Sequence, residues 1–109
     1  MVLLDSIRRS LHTNPRRAAS RNVVGIRVHG GYQPNVIHTE VGVPLRLLFR
    51  REETSSCSEQ VVFPAFGKSA MLPTGETVAV DLLPDAPGEY EFTCAMGMLH
   101  GRLIVEARR

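Results

Sequence analysis

The chain has 109 residues and a net charge of +2, a length that suits one small domain with a single modest core. No apolar run reaches about 18 residues, which excludes a membrane-spanning helix. The charge is uneven. Arg8, Arg9, Arg16, Arg17 and Arg21 face only Asp5 across the first 21 residues, leaving eight basic and ten acidic residues for the remainder. A slightly acidic domain argues against nucleic-acid binding, which needs a basic face with interleaved aromatics.

The start, MVLLDSIRRSLHTNPRRAAS, is a poor secretory signal, because its apolar run stops at Asp5 and its arginines follow that run. A cytoplasmic location is expected on that ground. Leu4, Ile7 and Leu11 fall at helical spacing and predict a short amphipathic helix over residues 2–11. HTNPRRAASRN then reads as a linker broken at Asn14-Pro15, so residues 1–22 form a basic arm and residues 23–109 the domain. The arm is a solvated segment or a candidate for contact with anionic lipid at a membrane surface.

From Asn22 onward the pattern turns to period two. Val24, Ile26 and Val28 alternate with Gly25 and Arg27, and HGGYQP closes that strand with turn chemistry. Val36 to Glu40 reads as a short extended piece. PLRLLFR puts Leu45, Leu47 and Phe49 on one face, with Arg46 and Arg50 on the other. After the polar loop REETSSCSE come QVVFP, ETVAVDL, GEYEFTC and GRLIVEA, punctuated by Pro64, Gly67, Pro73, Gly75, Pro84, Pro87 and Gly88. This spacing predicts an all-β fold, an antiparallel Greek-key β-sandwich.

Sulfur is scarce: two Cys and four Met, of which Cys94, Met96 and Met98 fall within five residues. Residues two apart on a strand share a face, so Tyr90, Phe92 and Cys94 point together toward the core. The same rule over CSEQVVF puts Cys57, Glu59, Val61 and Phe63 on one face, with Cys57 inward at the start of its strand. Two such cysteines meet at one pole of a sandwich if their strands are antiparallel neighbours. Met96 and Met98 then leave that pole in a loop bounded by Gly97 and Gly101.

Thiolate and thioether are soft donors suited to Cu(I). The paired four-ligand spacing of structural zinc is missing. Blue copper needs two His and one Cys, and His100 is the one histidine after Cys94. Against a metal stand a Cys57–Cys94 disulfide, worth roughly 3–4 kcal/mol by loop closure but disfavoured in a reducing compartment, and simple packing of the methionines. Met71 reads as packing or as a neighbour of the same pole, His100 as a rim residue, and His12, His29 and His38 as scattered. Glu52 and Glu53 face apart and do not form an acid–base pair. With Ser55 and Ser56 read as loop residues, no nucleophile–base set emerges, and no enzymatic activity is expected.

GGYQP, CSEQVVFP, LPTGE and CAMGMLHG, within Val23 to Val105, together resemble the EfeO-type cupredoxin-like domain. Within that family the sequence is most similar to Cu(I) chaperones and to domains of copper-exporting P-type ATPases. The resemblance implies a cupredoxin sandwich with a sulfur-rich site for one or two Cu(I) ions. Cys57 and Cys94 would hold the tighter ion, and Cys94, Met96 and Met98 a weaker one. Glu59 falls near the first histidine position of ordinary cupredoxins, which makes it, with His100, a candidate neighbour of the site. The implied role is a copper chaperone or buffer in copper homeostasis, its partner a copper-exporting P-type ATPase or another copper acceptor. The alternative is a redox cupredoxin for electron transfer or support of iron oxidation.

Overall fold

The computed structural model describes residues 22–107. The helix expected over residues 2–11, the linker up to Arg21 and the basic arm's suggested lipid contact lie outside the described residues. Asn22, assigned above to the linker, is instead the first residue of a strand. Its N–H donates to the carbonyl of Pro44 at 3.0 Å, and its side chain donates to Thr39 at 3.1 Å.

Nine strands are formed among the described residues: β1 (Asn22–Val28), β2 (Tyr32–Gln33), β3 (Val36–Glu40), β4 (Leu45–Arg51), β5 (Gln60–Phe63), β6 (Lys68–Met71), β7 (Thr77–Leu82), β8 (Gly88–Cys94) and β9 (His100–Glu106). They make two sheets, ordered β2-β1-β4-β7 and β3-β9-β8-β5-β6. This is the expected sandwich. It is not purely antiparallel, however, since β1 runs parallel to β4 and β3 parallel to β9. Alternation reports which face a residue takes, not which strand lies beside it, so the two parallel pairings left no mark in the pattern.

Each face follows the alternation. Leu45, Leu47 and Phe49 are buried, as are Phe92 and Cys94 on β8 and Leu103 and Val105 on β9. The middle of the sandwich is aromatic: the Phe63 and Phe92 rings stack with centroids 5.1 Å apart, Tyr32 leans on Phe92 at 5.1 Å, and Phe49 meets Tyr32 edge-on at 5.9 Å. Burying each of these rings contributes about 2–3 kcal/mol.

Two strands escaped the sequence pattern, β6 and the two-residue β2, which lies within the turn segment HGGYQP. The β6 segment, KSAM, is mostly exposed and lies at the edge of the five-stranded sheet, so no apolar alternation marks it. Strand β4 also runs one residue beyond PLRLLFR. Its inward series Leu45, Leu47, Phe49 ends on Arg51, which is buried.

Candidate metal centre

Cys94 closes β8 and is 1% exposed. Its inward direction follows from Phe92, two residues earlier on the same face. In the β5–β8 pairing Cys94 stands opposite Val61. Strand β5 begins at Gln60 just after Cys57, and β8 ends at Cys94, so the two cysteines lie at the same end of neighbouring antiparallel strands. Both are free thiols, and the structure holds no disulfide between them.

Cys57 does not sit on a strand, contrary to the expectation above. It lies in a single 3-10 turn, Ser56–Ser58, and is half-buried. Ser55 caps the turn, its hydroxyl accepting the Cys57 N–H at 3.2 Å. Ser and Thr at this position compete for nearby backbone donors and stop the strand from reaching back. Period-two counting from Phe63 therefore fails before it reaches Cys57, and Glu59 is exposed to solvent.

The loop after Cys94 is built around its sulfur. The Gly97 N–H donates to the Cys94 carbonyl at 2.9 Å, closing a tight turn that Gly97 completes with a φ of 72°, a conformation glycine adopts without strain. The following N–H groups then point inward, that of Met98 reaching Cys94 Sγ at 3.1 Å and that of Leu99 at 3.3 Å. Burial pushes the Cys94 thiol up. The backbone N–H groups of Leu99, Met98, Met96 and Gly97 together outweigh that effect and hold it below the ordinary thiol value. This is a sulfur whose ionised form is favoured by a preformed cradle of N–H donors.

The side chains of Met96 and Met98 are 62% and 65% exposed, so packing does not account for them. Met71, read from the sequence as packing or as a neighbour of this pole, is also an exposed methionine, at the end of β6 opposite Gln60. That row adjoins the Val61–Cys94 row, which puts Met71 at the same end of the sheet as Cys94. His100 opens β9 on the outer face of the sheet, where its Nδ1 sits 2.7 Å from Glu91 Oε2, turned away from the buried face that carries Cys94. Among the described residues, no three His, Cys, Asp or Glu side chains gather as a metal site. Cys94, Met96 and Met98 supply sulfur donors at this pole, and His29 and His100 line the cleft beside Met98.

One further group belongs to this environment and was not singled out by sequence reading. Tyr32 is 4% exposed, and its hydroxyl has no hydrogen-bond partner. Burial first, and the charge of Cys94 second, push its ionisation well above the ordinary tyrosine range, so a neutral O–H is retained near the thiol. The only sequence signal was an aromatic within GGYQP.

The fold and this pole define a sandwich of the cupredoxin type with a sulfur-lined end. A model of the cupredoxin-like domain matches residues 6–105, and the chain belongs to that family. No curated protein matches it. Among solved structures it is similar to a copper binding protein determined in its apo form, with 42% identity, a TM-score of 0.76, and coverage of 80% of this chain and 89% of that one. It is also similar to the metal binding domain of the Streptococcus pneumoniae D39 Cu(I) exporting P-type ATPase CopA, with 26% identity, a TM-score of 0.78, and coverage of 80% and 87%. Auracyanin B, at 17% identity and a TM-score of 0.63 over 78% of this chain and 88% of its own, shares the fold.

Proposed function

We propose that this chain binds Cu(I) through Cys57, Cys94, Met96 and Met98 and acts as a copper chaperone or buffer. The observation that carries the reading is the Cys94 sulfur, held by two main-chain N–H groups and followed by two exposed thioethers, at the same pole as a second free thiol. Soft sulfur donors select the reduced ion. The N–H groups around Cys94 favour its thiolate, so less proton competition opposes binding.

Transfer would proceed by ligand exchange. Cys57 and Cys94 hold the cargo, while Met96 and Met98, largely in solvent, yield to an incoming thiolate without disturbing the sandwich. A cleft of about 500 Å³ opens beside Met98, bordered by His29, Tyr32, Asn35 and His100, and leaves an approach for such a group. The similarity to an ATPase metal binding domain supports an acceptor of the exporting kind. The role requires a reducing compartment such as the cytoplasm.

The test is anaerobic competition against a Cu(I)-specific chelator. Cys57→Ser and Cys94→Ser abolish tight binding, whereas Met98→Ala weakens mainly a second ion. Unchanged affinity in both cysteine variants defeats the proposal, and an intense visible charge-transfer band on adding Cu(II) turns it toward a redox cupredoxin.

A further inference from the structure

Arg51 is the one buried charged residue among those described, 6% exposed at the end of β4. It occupies the position where the inward series Leu45, Leu47, Phe49 calls for another apolar side chain. A guanidinium stays charged at any accessible pH, and an apolar residue of similar volume is often no less stable than a buried charge. Its presence there needs a reason other than packing.

Its hydrogen bonds supply one. Nη2 donates to the Ser55 carbonyl at 2.7 Å, Nε to Ser58 Oγ at 3.0 Å, and Nη1 to the Leu72 carbonyl at 2.9 Å. The first two acceptors flank Cys57 on either side. The third lies in the segment leaving β6, whose Leu72 N–H in turn donates to the Glu59 carbonyl at 2.7 Å. A three-residue 3-10 turn has little stability of its own, and this one is fastened at both ends to a single rigid fork. Lysine has no such fork: its ammonium is one point charge on a flexible stem. A second layer follows. The one Ser58 hydroxyl proton has two acceptors within reach, the Ser55 carbonyl at 3.2 Å and the carboxyl of Glu53, which also accepts the Gly30 N–H at 2.7 Å.

We infer that Arg51 is the positioning residue for Cys57: it fixes the Ser55–Ser58 turn against the core so that the Cys57 thiol is presented at the pole where Cys94 lies. This rests on the reading of Cys57 as a copper ligand. Groups that orient a ligand from behind typically govern about 10–100-fold in metal affinity.

Two measurements on the full chain decide it. In the metal-free protein, Arg51→Lys raises the alkylation rate of Cys57 several-fold while that of Cys94 stays as in the parent. In chelator competition, Arg51→Lys lowers Cu(I) affinity about 10–100-fold, and in a Cys57→Ser background it adds no further loss. Equal acceleration at both cysteines, or the same affinity loss with and without Cys57, marks a general structural role and overturns the inference. If Cys57→Ser alone leaves affinity unchanged, the copper reading fails, and the alkylation comparison still judges Arg51. Ser58→Ala, which removes one acceptor and keeps the arginine, carries the same comparison should the lysine variant not fold.

Discussion

Phe92 lies flat across Gly101, its cross-strand partner on β9, so closely that a Cβ on Gly101 would stand 2.2 Å from the ring's Cζ. Phe92 cannot retreat, because Phe63 and Tyr32 pack against it with centroids 5.1 Å away. Gly101→Ala is expected to cost about 1–3 kcal/mol by overpacking, read as a lower urea midpoint with an unchanged slope. An unaltered midpoint would show that the ring shifts freely. The strain falls between Phe92 and Gly101, which bracket the Cys94–Met98 loop.

The N–H groups directed at Cys94 predict its titration. In Cys57→Ser, the remaining thiol should ionise, by its ultraviolet thiolate absorbance, at lower pH in the folded protein than in strong denaturant. The sign for stability follows. A thiol depressed in the folded state contributes stability that is complete above its unfolded value and is lost as pH falls through the folded value. A folded-state value at or above the denatured one contradicts the cradle.

Acid should loosen the Cys57 side of the pole. The Ser58 hydroxyl foremost, with the Gly30 N–H and the charges of His29 and Arg51 adding to it against a desolvation cost, holds the Glu53 carboxyl below the ordinary glutamate range. Its contribution is therefore present above that range and disappears as pH drops through the lower folded-state value. Glu53→Gln is expected to lower the urea midpoint at neutral pH, the difference from the parent shrinking toward zero in acid. A difference independent of pH would assign the effect to shape.

Met98→Ala should separate stability from binding. The side chain is largely in solvent, and the main-chain N–H that reaches Cys94 survives the substitution. Stability is expected to stay within about 0.5 kcal/mol of the parent, while weaker-site copper occupancy falls in equilibrium dialysis under reducing conditions. A large loss of stability would make Met98 a packing residue.

The sequence by itself determined the faces. Leu45, Leu47 and Phe49, and later Tyr90, Phe92 and Cys94, alternate in unbroken strands, and a pleated backbone converts that order directly into inward and outward. Turn residues marked most strand ends, and the sequence alone puts the three sulfurs of Cys94, Met96 and Met98 within five residues. Tertiary structure decided what depends on segments far apart in the chain. Cys57 lies in a turn because Ser55 claims its N–H and Arg51 grips both flanks. His100 faces outward to Glu91, and Met71 ends an edge strand in solvent. The burial of Arg51 could not be inferred from its polarity, since it is acceptable only where three acceptors from two loops converge. Periodicity carries the local geometry of a strand, but a hydrogen bond closes through space, and only the folded chain brings its two ends together.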